Sequence, residues 1–315
     1  MDGAVYTLPM TEMTHQQATD IRDTSWVDRL APLKMRPYFR LARLDRPIGT
    51  WLLLLPCWWS LALASPGWPD IYVITLFGIG AVVMRGAGCT VNDLADRDFD
   101  SLVARTALRP IPSGDVSVFQ AFLYLGFLCS IGLLILLQFN MFTVGLGALS
   151  LLFVVTYPFM KRFTYWPQAM LGLTFNWGAL MGWASVYGEL SAAPLVLYGT
   201  GLFWTLGYDT IYAHQDKEDD VLIGIKSTAL RFGEQTTIWL SGFYVLTIAG
   251  LGLTGYLVGL MWSFYVALAI AAVHLVWQLK TLDTDDPKNC LRRFKSNRDF
   301  GLIIFAGIVI SKIMS

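Results

Sequence analysis

Two runs of carboxylates stand where long apolar stretches end. The first reads Asn92-Asp93-Leu94-Ala95-Asp96-Arg97-Asp98-Phe99-Asp100; the second runs from Asp209 through Tyr212, Asp216, Asp219 and Asp220. Carboxylates packed this closely repel one another unless a cation lies among them, and a hard divalent metal that also holds a phosphate is the natural candidate. If each helix continues past its apolar run, neighbours fall at spacings of three, four and seven. Asn92, Asp96 and Asp100 then share one face with Asp93 beside them, while Asp98, about 200° round from Asp96, points elsewhere. The same continuation puts Asp209, Tyr212, Asp216 and either Asp219 or Asp220 on a second face, with Lys217 and Glu218 turned away. A solvated loop would explain the acidity but not its recurrence on one helical face in both halves.

Basic residues accompany the acids. Lys161-Arg162, Arg105, Arg109, Lys226 and Arg231 lie on the same side of the apolar runs. Each alone is explained by membrane anchoring; together they suit the phosphate oxygens that a metal leaves open. The chemistry expected is that of a metal and a diphosphate at a membrane surface.

The elements that must position these groups are helices in lipid. The 315 residues are 55% hydrophobic and 15% charged, where a soluble domain usually carries about 25% charge. Formal net charge is zero, which argues against nucleic acid as a partner. Runs long enough to span fall at about 48–65, 71–91, 117–137, 140–158, 167–187, 192–213, 236–258, 261–279 and 299–314. This gives an all-α, polytopic bundle of about nine transmembrane helices around a central cavity. Residues 1–40 read as a cytoplasmic N-terminal segment and 41–315 as one transmembrane domain. Of the 23 Lys and Arg, only Lys312 falls on the far side, so both acid clusters and the N-terminus share the positive side. Each cluster also ends the second span of a four-span block, which predicts two similar sites facing across one cavity.

The first twenty residues lack an apolar signal-peptide core, and they contain Asp2, Glu12 and Asp20 but no Lys or Arg, unlike a mitochondrial presequence. The expected address is therefore the bacterial cytoplasmic (inner) membrane, with the site loops cytoplasmic. Cys57, Cys89, Cys129 and Cys290 show no C-x-x-C spacing and read as core residues, and three scattered histidines make no zinc site.

Arg85-Gly86-Ala87-Gly88-Cys89-Thr90-Val91-Asn92-Asp93, continued through Asp96 and Asp100, resembles the first aspartate motif of the UbiA-type intramembrane prenyltransferases. Tyr208-Asp209 through Asp220, followed by Gly224-Ile225-Lys226-Ser227-Thr228, resembles the second. Tyr157-Pro158-Phe159-Met160-Lys161-Arg162 is similar to the family's Y-x-x-x-K element, and Leu44-Asp45-Arg46-Pro47-Ile48-Gly49-Thr50 to its N-terminal segment. The wording is nearest the branch that prenylates 4-hydroxybenzoate in ubiquinone biosynthesis.

The resemblance implies one Mg²⁺ on each cluster, two in all, bridging the diphosphate of a polyprenyl diphosphate whose tail stays in membrane lipid. It implies metal ligation by Asn92, Asp93, Asp96, Asp100, Asp209, Asp216, Asp219 and Asp220. Catalytic roles would fall to Asp93, Asp96, Asp100, Asp209, Asp216 and Lys161. Substrate contacts would come from Asn92, Arg105, Arg109, Tyr157, Arg162, Tyr212 and Lys226, with Arg43, Arg46 and Arg85 as candidates for the carboxylate of 4-hydroxybenzoate. Other acceptors (homogentisate, a naphthoate, a haem or chlorophyll precursor) and a membrane transporter are the alternatives; a transporter would place its acids near the membrane midplane rather than at span ends.

Overall fold

A run of apolar residues in lipid must satisfy every backbone N–H and C=O internally, and a helix does so within one segment. A computed structural model of the chain describes residues 25–101 and 106–315, with Asp219 and Ile223 described by backbone alone. Among the described residues there is no strand. The helices are α1 (Trp26–Leu30), α2 (Arg36–Leu41), α3 (Ile48–Ala64), α4 (Ile71–Asp100), α5 (Val118–Leu136), α6 (Met141–Phe163) and α7 (Pro167–Phe175). They continue as α8 (Gly178–Tyr187), α9 (Ala192–Ala213), α10 (Lys217–Ile223), α11 (Thr228–Phe232), α12 (Thr236–Leu257), α13 (Trp262–Lys280) and α14 (Pro287–Met314). Every predicted apolar run is helical, one of them in two pieces. Five helical stretches among the described residues are long and apolar enough to cross a membrane.

Polar side chains start the long helices. Asp70 accepts from Tyr72 N at 2.8 Å, Asn140 from Thr143 N at 3.0 Å, and Ser117 forms a capping box with Gln120. Each such cap stabilises a helix start by about 1 kcal/mol. Asp286 does the same for α14, accepting from Lys288 N at 2.8 Å. α14 therefore begins twelve residues before the run expected at 299, and its charged first half is helical too.

Two other departures matter for the site. The run expected at 167–187 is broken between Phe175 and Gly178, where the Asn176 amide donates to Gly172 O and Thr205 Oγ1, both at 2.8 Å. Beyond the break α8 lies hard against α3. A Cβ at Gly178 would come 2.3 Å from Cys57 Sγ, and one at Gly182 would come 2.5 Å from Cys57 O, so the G-x-x-x-G pair lets two backbones touch. The second acid segment also differs: α9 stops at Ala213, and a 3-10 turn (His214–Asp216) leads into the short α10. The single continuous face expected for Asp209, Tyr212 and Asp216 is corrected to a helix end, a turn and a new helix.

The core at the middle of the bundle is aromatic, with its polar tips paired. Trp59 Nε1 donates to Gly301 O at 2.8 Å and Trp204 Nε1 to Asn297 Oδ1 at 2.9 Å, tying α3 and α9 to α14. The loops that carry the basic residues meet at one end. Lys226 N donates to Lys161 O at 3.0 Å, and Arg162 reaches Ala95 O at 2.8 Å. Cysteines placed at exposed Lys288 and at exposed Pro66 in a Cys-free background should therefore label from opposite faces of sealed vesicles. Labelling of both from one face would refute that sidedness.

Candidate active site

The acid clusters open into one cavity of about 950 Å³. Its charged end is lined by Asn92, Asp93, Asp96 and Asp100 from α4 and by Asp209, Tyr212, Asp216 and Asp220 from the α9 to α10 corner. Its other walls are apolar and reach Phe77, Leu136 and Phe139, near the opposite ends of α4 and α5. The helical-face expectation for the first cluster holds. Asp93 and Asp96 are fully buried and Asp100 nearly so, while the Asp98 side chain is 84% exposed.

Carboxylates removed from water require partners, and cations supply them. Arg43 Nη2 donates to both oxygens of Asp93, at 2.7 and 2.9 Å. Arg109 Nη1 joins Asp93 (3.3 Å) to Asp100 (2.8 Å), and Lys161 Nζ donates to Asp96 Oδ2 at 2.5 Å. Arg43 does so from a left-handed backbone, φ 58°, which costs a non-glycine residue roughly 1–2 kcal/mol. A residue held there is held by its surroundings, here a bidentate pair with a buried acid.

Arg162 does not line the cavity. It clamps α6 to α4 through Ala95 O and packs over the Phe99 and Phe159 rings. Arg46 lines the mouth with its Nε 3.5 Å from Asp45, and Tyr157 and Lys226 line the wall, the latter with Nζ 3.4 Å from Phe163 O. Arg105 and the side chain of Asp219 lie outside the described residues. His214, in the turn, bonds Thr236 Oγ1 at 3.0 Å, and burial pushes it down to about 4, so it stays neutral.

Arg85 is different. It lies over the Phe175 ring at 5.3 Å, close enough to Asp209 for its charge to act there, and it makes no ion pair among the described residues. Its buried Nε has no hydrogen-bond partner. Room for it comes from α3, because a Cβ at Gly49 would fall 2.5 Å from Arg85 Nε. Residues not singled out from sequence also line the cavity. Tyr208 is buried beside Asp209 with its hydroxyl accepting from Thr205 at 3.0 Å, and Gln168 accepts from Thr228 N at 3.2 Å. Lys288 and Lys295 reach the cavity from α14. Their seven-residue spacing, with Leu291 between, was the available signal, hidden by reading 287–298 as loop.

Among the described residues, no three His, Cys, Asp or Glu side chains converge on one point. A cage made by protein alone does not fit. A Mg²⁺ that takes one or two carboxylates and fills its shell with phosphate oxygens and water does. Asp96 Oδ1, buried without a hydrogen bond and 3.7 Å from Arg162 Nη2, is an oxygen such an ion could take.

The profile of the UbiA prenyltransferase family matches residues 53–304. A human protein named 4-hydroxybenzoate polyprenyltransferase, mitochondrial, is 56% identical over 286 residues, covering 90% of this chain and 77% of its own. One of the same name from Arabidopsis thaliana is 54% identical over 295 residues, covering 93% and 72%. Among solved structures, the apo UbiA homolog from Aeropyrum pernix K1 shares the fold with a TM-score of 0.70 at 24% identity, covering 84% of this chain and 98% of that one. A UbiA homolog from Archaeoglobus fulgidus bound to DMAPP and Mg²⁺ gives 0.65 at 19% identity, covering 88% and 99%.

One expectation is overturned by these relatives. They are named as mitochondrial proteins of eukaryotes, so the bacterial inner membrane does not stand, whereas a multi-pass membrane position does. Residues 1–20, whose composition suggested the bacterial address, precede the family match and lie outside the described residues.

Proposed function

The chain belongs to the UbiA prenyltransferase family, and from that premise we infer that it transfers a polyprenyl group from polyprenyl diphosphate to 4-hydroxybenzoate, ortho to the phenol, in ubiquinone biosynthesis. Its relatives at 51–56% identity carry the name of that activity. The observation that carries the reading is a single cavity whose charged end suits a diphosphate and whose apolar length suits a prenyl tail. Residues 41–315 are its prenyltransferase domain.

Mg²⁺, two ions in our reading, would be held by Asn92, Asp93, Asp96 and Asp100 on one side and Asp209, Asp216, Asp219 and Asp220 on the other. When bound it supplies Lewis-acid pull on the departing diphosphate. The chain does the rest. Lys161, Arg109 and Lys226 stand where they offset charge growing on the leaving group, and the pull of such preorganised groups is strongest away from water. The allylic C–O bond breaks with its electron pair leaving on the diphosphate. The ring carbon ortho to the phenol then supplies the electrons of the new C–C bond, and loss of the ring proton restores aromaticity. Burial excludes the water that would otherwise capture the prenyl cation.

Membranes containing the protein and labelled polyprenyl diphosphate should prenylate 4-hydroxybenzoate in preference to homogentisate or a naphthoate. EDTA should abolish turnover and added Mg²⁺ should restore it. Preference for another acceptor would move the reading elsewhere within the family, and activity in EDTA would end the metal assignment.

Arg85 is the proposed partner of the acceptor carboxylate, since Arg43 is committed to Asp93. A lysine there keeps the charge but loses the planar fork. Arg85→Lys should raise the KM for 4-hydroxybenzoate about tenfold, the worth of one charge-assisted hydrogen bond, with the diphosphate KM little changed. A rise in the diphosphate KM instead would assign Arg85 to the leaving group.

A further inference from the structure

A second cavity, of about 430 Å³, lies between the start of α3 and the charged half of α14. Four cations line it (Arg46, Arg292, Lys295 and Arg298) against two carboxylates, Asp45 and Asp299. Asp299 lies 2.7 Å from Arg298 and Asp45 3.5 Å from Arg46, and cations outnumber carboxylates four to two among the lining residues. Arg292 is exposed and forms no ion pair among the described residues. Positions 292, 295, 296 and 299 share one face of α14, turned toward Pro47, Ile48 and Trp51.

The change from charged to apolar residues along each helix fixes the pocket's level in the membrane. α3 turns apolar at Ile48 and α14 at Phe300, so the cations stand where both helices enter lipid. An aromatic ladder leads inward from there. Trp51 meets Trp58 edge-on at 6.0 Å, and Trp58 meets Phe305 at 5.4 Å, each ring only half-buried. The indole N–H of Trp51 has no partner among the described residues. A free phosphate would use the cations and ignore the ladder; an apolar chain alone would do the reverse.

We propose that this pocket binds the head group of an anionic phospholipid, with an acyl chain along the Trp51–Trp58–Phe305 seam. Basic pockets between helices at a membrane edge are suited to phosphate head groups. Because Arg46 and Lys295 line both this pocket and the central cavity, the lipid's charge borders the mouth of the site. The assignment requires only the membrane placement of α3 and α14, not the identity of the acceptor.

The test uses the full chain purified in detergent micelles carrying phosphatidylcholine, with phosphatidylglycerol added. Retention is read by native mass spectrometry and stability by thermal melting. Phosphatidylglycerol should be retained over phosphatidylcholine and should raise the melting temperature. The double variant Arg292→Gln/Arg298→Gln should lower its retention at least about tenfold, with turnover in phosphatidylcholine unchanged. If the double variant does not fold, Arg292→Gln alone should lower retention about threefold to fivefold. Equal retention of the two lipids, or wild-type retention by the variants, overturns the proposal. Stabilisation by glycerol 3-phosphate equal to that by phosphatidylglycerol would make this a free-anion site. Displacement of the lipid by farnesyl diphosphate, with a raised donor KM in the variants, would make it a waiting place for the donor. Either result also overturns it.

Discussion

Asp96→Asn is expected to lower kcat by about 10²–10³-fold, because it weakens the hold on the Mg²⁺ proposed to draw the diphosphate away, a loss on the scale of removing one preorganised charge-stabilising group. Asp98→Asn, two residues on, should leave kcat within about twofold, as for a surface change away from the site. Both substitutions remove one negative charge from the same turn of α4. Only their direction differs: Asp96 is fully buried in the cavity wall with Lys161 on one oxygen, and the Asp98 side chain is 84% exposed beside Arg97. A net-charge effect would weaken both alike. Steady-state rates over a range of Mg²⁺ and donor concentrations separate the cases, and similar losses in the two variants would remove the helical-face argument. Because Asn keeps the shape of Asp96, the protein should still fold, as melting in detergent would verify.

The second large effect concerns stability. Arg43→Met should destabilise the protein by about 3–5 kcal/mol, the cost of stranding a buried charge. Asp93 is fully buried, and after the change its nearer partner is gone; Arg109 remains at 3.3 Å. If the pair is the cause, Asp93→Asn placed on the Arg43→Met background should recover a large part of the loss, since the stranded charge is then removed. Melting of the two single variants and the double variant closes this cycle. A double variant as unstable as Arg43→Met alone would trace the loss to the other bond of Arg43, Nη1 to Arg40 O at 3.1 Å, and to its packing rather than to the ion pair.

The first carboxylate cluster was legible because α4 continues as a helix through Asp100, so spacing alone separated Asp96 from Asp98. The apolar runs were legible for the same reason, each repeating one environment along one element. What sequence did not show was mostly tertiary. Arg43 and Asp93 are 50 residues apart, and no periodicity links them; Arg43, a candidate acceptor ligand by sequence, is bound instead to an acid of the first carboxylate cluster. The turn at His214–Asp216 carries no glycine or proline to announce it, so the second cluster read as a continuous helix. The Asn176 break is likewise set by a neighbour, Thr205 on α9. At α14 the signal was present and overlooked: Asp286 before Pro287 is a helix start, and accepting it would have put Lys288 and Lys295 on one face.

The missing side chain at Gly49 bears on how such a cavity changes its taste. The atoms that a Cβ would strike there belong to the flexible end of Arg85, not to any backbone. An alanine at that position is therefore absorbed by a swing of the guanidinium, with little demand on the packing of α3. Folding would hardly register the exchange, but the Arg85 cation would face a different part of the chamber. If Arg85 reads the acceptor carboxylate as proposed, preference among aromatic acids would drift through this small position on the cavity wall, and a lineage could explore new acceptors there without first risking its fold.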